Sequence, residues 1–481
     1  MATECTPPTF AFHPHAGREV VGSFSGGDIT SDGGALLLRE VEQRTGLLRQ
    51  FAACFVDHRD PDLIEHTVAE LVAQRVYGLA LGYEDLCDHD DLRHDPLLAV
   101  LVGKADPTGQ DRVRARDRGQ PLAGKSTLNR LELTPADATA DSRYKKIVVD
   151  KGAVERFFVD VFLQAHRTPP PRIVLDLDAT DALLHGHQQG RFFHGYYGNY
   201  CYLPLYIFCG EFLLCARLRP ACLDAAAGSV KIVARLVAQI RAAWPQVEIV
   251  VRADSGFCRE KLMAWCEAHG VAYVLGLAKN ERLKAELAAE LAQAKAQFEQ
   301  TGQPARVFKD FTYQTRESWS RPRRVLGKAE HLEKGANPRF VVTSFSAERR
   351  DARTLYEDEY CARGEMENRI KEQQLYLFAD RCSAATLRAN QQRLWFSGVA
   401  YVLLQALRRL GLVDTALARA QGHTIRAKLL KIGAQIRVTV RKVWVWLAQS
   451  CPYAGVFAQV WEKLRTLPHG ASGPAGCSAP G

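Results

Sequence analysis

The chain has 481 residues, 47% apolar and 24% charged, a length too great for one ordinary core and a composition normal for a globular protein of two or three domains. Its 63 Lys and Arg against 54 Asp and Glu give a formal charge of +9, a sign that favours a polyanionic partner. The 13 cysteines are odd in number and form no C-x-x-C pair, which speaks against a disulfide framework or zinc site and for a reduced, cytosolic protein.

The stretch Met1 to Glu19 holds Pro, His and Thr without an apolar signal core. Leu36 to Phe55 and Asp60 to Tyr83 place their apolar residues at helical spacing, the second behind the start signal Asp60-Pro61-Asp62, so the first 165 residues read as largely helical. Asp106 to Arg130 interrupts them with Gly, Pro and a run of arginines. A different texture follows Pro169-Pro170-Pro171. Arg172 to Asp178 (RIVLDLD) reads as a buried strand ending in acid, and Tyr200 to Phe208 with Glu211 to Arg217 as a hairpin. Ser229 to Trp244 is an amphipathic helix, Val247 to Asp254 (VEIVVRAD) a second strand ending in acid, Arg259 to His269 a helix and Val271 to Leu277 a strand. This order predicts a mixed α/β domain. Glu281 to Phe298 then reads as helix, Val307 to Glu330 as short polar strands, and Arg339 to Phe345 as apolar strand.

Ala352 to Phe378 and Ala384 to Leu410 are helical in pattern. The apolar run Leu394 to Leu407 is short and broken by Ser, Gly and Gln, a buried helix rather than a membrane span. The basic region His423 to Lys442 leads into an expected aromatic helix with Trp444, Trp446, Tyr453, Phe457 and Trp461, and the Gly/Ser/Pro-rich tail from His469 is expected to be disordered.

Three acids stand out. Asp178 and Asp254 end strands of the α/β domain, where carboxylates face the ligand crevice, and Glu367 lies on a helix. Such a set can hold hard cations through oxygen. A single strand-end Asp is more often a turn residue, so the order of all three carries the reading. Asp176 and Asp181 lie close enough to Asp178 to compete for its place. Tyr360, Arg363, Glu367 and Lys371 step by three, four and four residues and share one helical face, which suits either phosphate gripping or a solvated charge ladder.

Two short motifs point elsewhere. Gly119 to Ser126 (GQPLAGKS) satisfies the P-loop pattern, yet the preceding DRVRARDR is too polar for the strand that motif needs. Cys87 to Asp95 (CDHDDLRHD) and the histidines His185, His187 and His194 carry metal-ligand residue types without zinc-site spacing.

The arrangement resembles the DDE transposases, and more closely the insertion-sequence thirteen-eighty transposase family, which is related to the insertion-sequence-four-like group. The residues that carry the resemblance are SDGGALLLRE (Ser31 to Glu40), GYEDLCDHDDLRHDP (Gly82 to Pro96), STLNRLE (Ser126 to Glu132), DLDATDALLHGHQQGRFFHGYYGNYCYLPL (Asp176 to Leu205), RADSGF (Arg252 to Phe257), the ESW–RRV segment around Trp319, and RGEMENRIKE (Arg363 to Glu372). The resemblance implies an α/β, RNase H-like catalytic core with an inserted β-rich segment, flanked by helical N- and C-terminal regions. The corresponding expected domains are a DNA-binding region over 1–165, a catalytic domain over 166–410 with the insertion at about 281–338, and a basic helical region over 411–481.

It also implies catalytic and metal-binding roles for Asp178, Asp254 and Glu367, with two Mg²⁺ ions (Mn²⁺ as a substitute). DNA or phosphate contacts fall to Tyr360, Arg363, Lys371 and Trp319, where Trp319 either stacks on a flipped base or pins a small β-subdomain. The expected activity is cleavage at insertion-sequence ends and strand transfer into target DNA. The expected partners are the inverted-repeat ends and target DNA, with a homodimer joining the ends, in the bacterial cytoplasm at the nucleoid. The family's final helix lysine falls on Gln374, after Gln373, and Lys371 lies nearly one turn earlier.

Overall fold

A computed structural model describes residues 8–467, so the tail from His469 lies outside the described residues. The chain forms two compact units, one from Lys151–Gly398 and the other from the residues up to Asp150 together with those from Val399 on.

The Lys151–Gly398 unit is a mixed sheet with helices. Its strands are β1 (Arg172–Ala179), β2 (Leu205–Cys209), β3 (Phe212–Arg217), β4 (Glu248–Ala253), β5 (Ala272–Leu277), β6 (Ala305–Tyr313), β7 (Arg323–Leu332) and β8 (Arg339–Thr343). They lie in the order β3-β2-β1-β4-β5-β8-β7-β6. β2 and β3 run as an antiparallel hairpin beside β1, whereas β4 and β5 run parallel to it. Parallel neighbours require crossovers, and helices α1 (Ser229–Ala243) and α2 (Glu260–Ala268) supply them. The segment after β5 does not stand apart. Its strands continue the same sheet through β8 pairing antiparallel with β5.

Two-residue alternation sorts each strand into two faces. Ile173, Leu175 and Leu177 of β1, Ile249, Val251 and Ala253 of β4, and Tyr273 and Leu275 of β5 join one core with Val233, Leu236 and Ile240 of α1. Val250 of β4 and Val274 of β5 point the other way, onto Leu355 and Tyr356. These last residues belong to a π-helical turn, Leu355–Tyr360, followed by a 3-10 turn, Cys361–Arg363, and then helix α3 (Gly364–Leu377). The sequence predicts one uninterrupted helix here; the π turn replaces it, a widening of the kind that recurs at functional sites. On the same face, Gly276 lets the helical segment approach: a Cβ there would stand 2.5 Å from the Tyr360 hydroxyl and 2.9 Å from the Ser255 backbone nitrogen.

The other unit corrects two expectations. Beside its helices, among them Leu36–Thr45 and Val68–Leu81, it contains a hairpin of Thr9–His15 with Arg18–Ser23 and a short pair, Phe55–Asp57 with Ile147–Val149. Trp444 and Trp446 lie on strand Val443–Leu447, not on a helix. The run VTVRKVWVW is rich in β-branched residues and alternates at period two, which favours pairing with Ala434–Val438. Helix Val68–Leu81 begins as its sequence predicts, with a capping box in which Thr67 and Glu70 satisfy each other's backbone amides.

The two set-aside motifs have structural partners. Lys125 donates its amide to Asp90 at 2.9 Å and pairs with the same carboxylate through Nζ at 3.1 Å. His89 is buried against Gln74, with its Nδ1 3.2 Å from the amide nitrogen. No helix among the described residues is long and apolar enough to cross a membrane, and every described cysteine is free.

Two predictions follow from this packing. Gly276→Ala forces a methyl against backbone that cannot yield, and should cost about 1–3 kcal/mol in urea unfolding of this unit; an unchanged midpoint contradicts the close approach. Burial, with Arg75 nearby, pushes His89 from 6.5 to about 3, so the folded protein holds it neutral. That contribution to stability is complete above pH 6.5 and drains away as pH falls toward 3, at about 1.4 kcal/mol per pH unit. Replacing His89 with Gln should flatten the acid limb of the stability profile by this amount, and an unaltered limb would count against a neutral buried ring.

Candidate active site

The parallel register of β1 and β4 places Asp176 opposite Arg252 and Leu177 opposite Ala253. Asp178 and Asp254 follow as the next rung at the carboxyl ends of adjacent strands, Asp254 one residue past the last one paired in β4. Alternation turns Asp176, Asp178, Arg252 and Asp254 to the face opposite the α1–α2 core.

Asp176 is committed to a structural bond. Its two oxygens accept from Arg252 Nε and Nη2 at 2.5 and 2.8 Å, and both side chains are buried. Arg252 also donates through Nη1 to the backbone carbonyl of Glu359, in the π turn. The Glu359 carboxylate accepts two bonds from Arg172 of β1, at 2.6 and 2.8 Å. One ladder of charges thus ties the start of β1, the middle of β4 and the segment leading to Glu367. Arg252 and Glu359 were not singled out from sequence, although a charged residue inside the apolar run VEIVVRAD was the available signal.

Asp254 closes the turn Ser255–Phe257, accepting from the Gly256 amide at 2.9 Å. Asp178 accepts from the Ala179 amide at 2.9 Å. Burial pushes its carboxyl up to about 7; Arg363 pulls it back, while Asp254 and Glu367 push it further. Arg363 lies between the acids, with Nη1 3.7 Å from Asp178 and Nη2 2.7 Å from Glu367. Tyr360 is raised chiefly by burial, with Arg363 opposing and Asp254 adding to the shift.

The remaining candidates are placed differently. Lys371 is exposed, without an ion pair among the described residues. Gln374, at the position of the family lysine, donates to the Asp181 carbonyl at 2.9 Å and so holds the chain just beyond β1. Trp319 is 6% exposed, edge-on to Tyr313 at 5.8 Å and beneath the Arg323 guanidinium. Arg323 is in turn bonded to Glu260 and Glu267 of α2. The indole has no open face for a base in this arrangement.

Among the described residues, no three His, Cys, Asp or Glu side chains converge closely enough to hold a metal ion unaided. The Arg363 guanidinium occupies the space between Asp178 and Glu367. The donors nonetheless suit a hard divalent cation: they are all carboxylate oxygens, and their mutual repulsion in a buried place is what a cation relieves.

A solved piggyBac transposase, in a synaptic complex with hairpin DNA, is similar over 83% of this chain and 80% of that one, at 11% identity and a TM-score of 0.39. Among curated proteins none matches. The family model described as transposase DDE domain group 1 matches residues 12–469, nearly the whole length. The chain belongs to that DDE transposase family.

Proposed function

We propose that the chain is an insertion-sequence DNA transposase of the thirteen-eighty type, cutting transposon ends and joining them to target DNA. The observation that carries the reading is the shared rung of Asp178 and Asp254 with Arg363 and Glu367 directed at it. The strand order β3-β2-β1-β4-β5, with the first three antiparallel and the last two parallel to β1, supports an RNase H-like core.

Asp178, Asp254 and Glu367 are assigned to hold two Mg²⁺ ions, or Mn²⁺ in their place, whose chemistry when bound is to activate water or a 3′-hydroxyl and to neutralise the leaving oxygen. The protein's own part is positional. Asp176 and Arg252 fix the two strand ends, and Gln374 fixes the turn beyond Asp178. Arg363, which neutralises the acids in the free protein, is the group nearest to a phosphate entering this crevice, where its planar fork suits two phosphate oxygens. Tyr360 lies on the Asp254 side of the same opening. Lys371, one turn along α3 from Glu367, is free to meet the DNA backbone. Trp319 is assigned to pinning the β6–β7 turn. Two ends must be held at once for transfer, so the working form is proposed to be a homodimer.

The test uses the full-length chain, Mg²⁺, labelled DNA bearing the inverted repeats that flank its gene, and a target plasmid. End-dependent cuts together with joined products are expected. Cutting without end preference or joining would replace this reading with a nuclease, and binding without cutting would leave a DNA-binding relative.

A further inference from the structure

The hairpin of Ala434–Val438 and Val443–Leu447, which also pairs with Asp28–Thr30, has two unlike faces. Ala434 and Ile436 are buried beneath it, whereas Gln435, Arg437, Trp444 and Trp446 point outward. The two indoles are 44% and 46% exposed, nearly parallel at 9°, with centroids 6.0 Å apart. The register sets Trp444 beside Arg437 and Trp446 beside Gln435. Lys442 Nζ stands 5.1 Å from the Trp444 ring. Beside Trp446 opens a hollow of about 440 Å³ whose lining includes Gly27, Asp28, Thr108, Gln435 and Arg437.

Charge identifies the occupant. Arg437, Arg441 and Lys442 are exposed and form no ion pair among the described residues, and no acid lies between Ala434 and Leu447. Arg437 lies on the central strand beside the edge strand Val443–Leu447, and Arg441 and Lys442 lie in the turn between them, so positive charge borders the two indoles. An extended polyanion with flat, apolar faces suits both halves of the surface. A duplex offers phosphates but keeps its base faces stacked; an unpaired strand offers both.

We propose that the outer face of this hairpin binds single-stranded DNA, with phosphates on Arg437, Arg441 and Lys442 and bases against Trp444 and Trp446. The proposal deepens the transposase reading and rests on it: strands freed at a cut end are the natural source of such a ligand.

The test measures binding of the full chain to a labelled oligothymidylate of about 20 nucleotides, longer than such sites span, and to a duplex of matched length. Trp444→Ala/Trp446→Ala should weaken oligothymidylate binding about tenfold or more and leave duplex binding within about twofold, because stacking serves unpaired bases. Trp444→Phe/Trp446→Phe should recover most of the loss, which a fold defect would not. Arg437→Gln/Arg441→Gln/Lys442→Gln should reduce the slope of log affinity against log salt by about 2, at about 0.7 per phosphate contact on a single strand. Unchanged oligothymidylate affinity in the double alanine variant overturns the proposal. Equal losses for both probes, or a changed oligomeric state with DNA binding intact, overturn it as well. Failure of end cleavage by the unmodified chain would instead count against the transposase reading, leaving the binding comparison to decide this surface by itself.

Discussion

Burying an arginine inside a β-strand costs several kcal/mol in desolvation, and Arg252 is tolerated only because each side of its guanidinium is answered. Asp176, directly across the parallel register, takes two of its donors, and the carbonyl of Glu359 takes a third. The same bonds settle two relations at once. They fix β1 against β4, so that Asp178 and Asp254 share a rung, and they dock the π turn from which Arg363 and Glu367 are reached. A one-residue slip of either strand would turn that strand's carboxylate toward the apolar core.

Asp178 and Glu367 share the Arg363 guanidinium, with Asp254 close enough to act on Asp178. Burial lifts Asp178 to about 7, with Arg363 opposing the shift and the neighbouring Asp254 and Glu367 adding to it. Groups whose ionisation is opposed in this way gather where a ligand of opposite sign is received. The guanidinium is partnered by Asp178 and Glu367 in this structure.

The sheet of the Lys151–Gly398 unit was legible because β1 and β4 are short apolar runs leading to acid, and each crossover helix is bounded by Pro or Gly. Strand alternation left Asp178 against Asp176 open, since both occupy one face, and the family resemblance favoured Asp178; in the structure Asp176 is the one bonded twice to Arg252. The π turn before α3 was hidden because Tyr360, Arg363 and Glu367 already fit an α-helical spacing. For Trp319 the sequence left open stacking on a base or pinning a small β-subdomain; Tyr313 and Arg323, adjacent across the hairpin, enclose it. The strand carrying Trp444 and Trp446 was read as helix because aromatic content drew more weight than the two-residue alternation beneath it.

The central claim is that the rung of Asp178 and Asp254 is the seat of the reaction. Asp254→Asn preserves size and the bond to the Gly256 amide while removing one negative charge, so the most direct measurement is Mg²⁺-dependent cleavage of end-bearing DNA by this variant alongside its DNA affinity. Loss of cleavage with affinity retained is the predicted result. Cleavage at the unmodified rate would contradict the account.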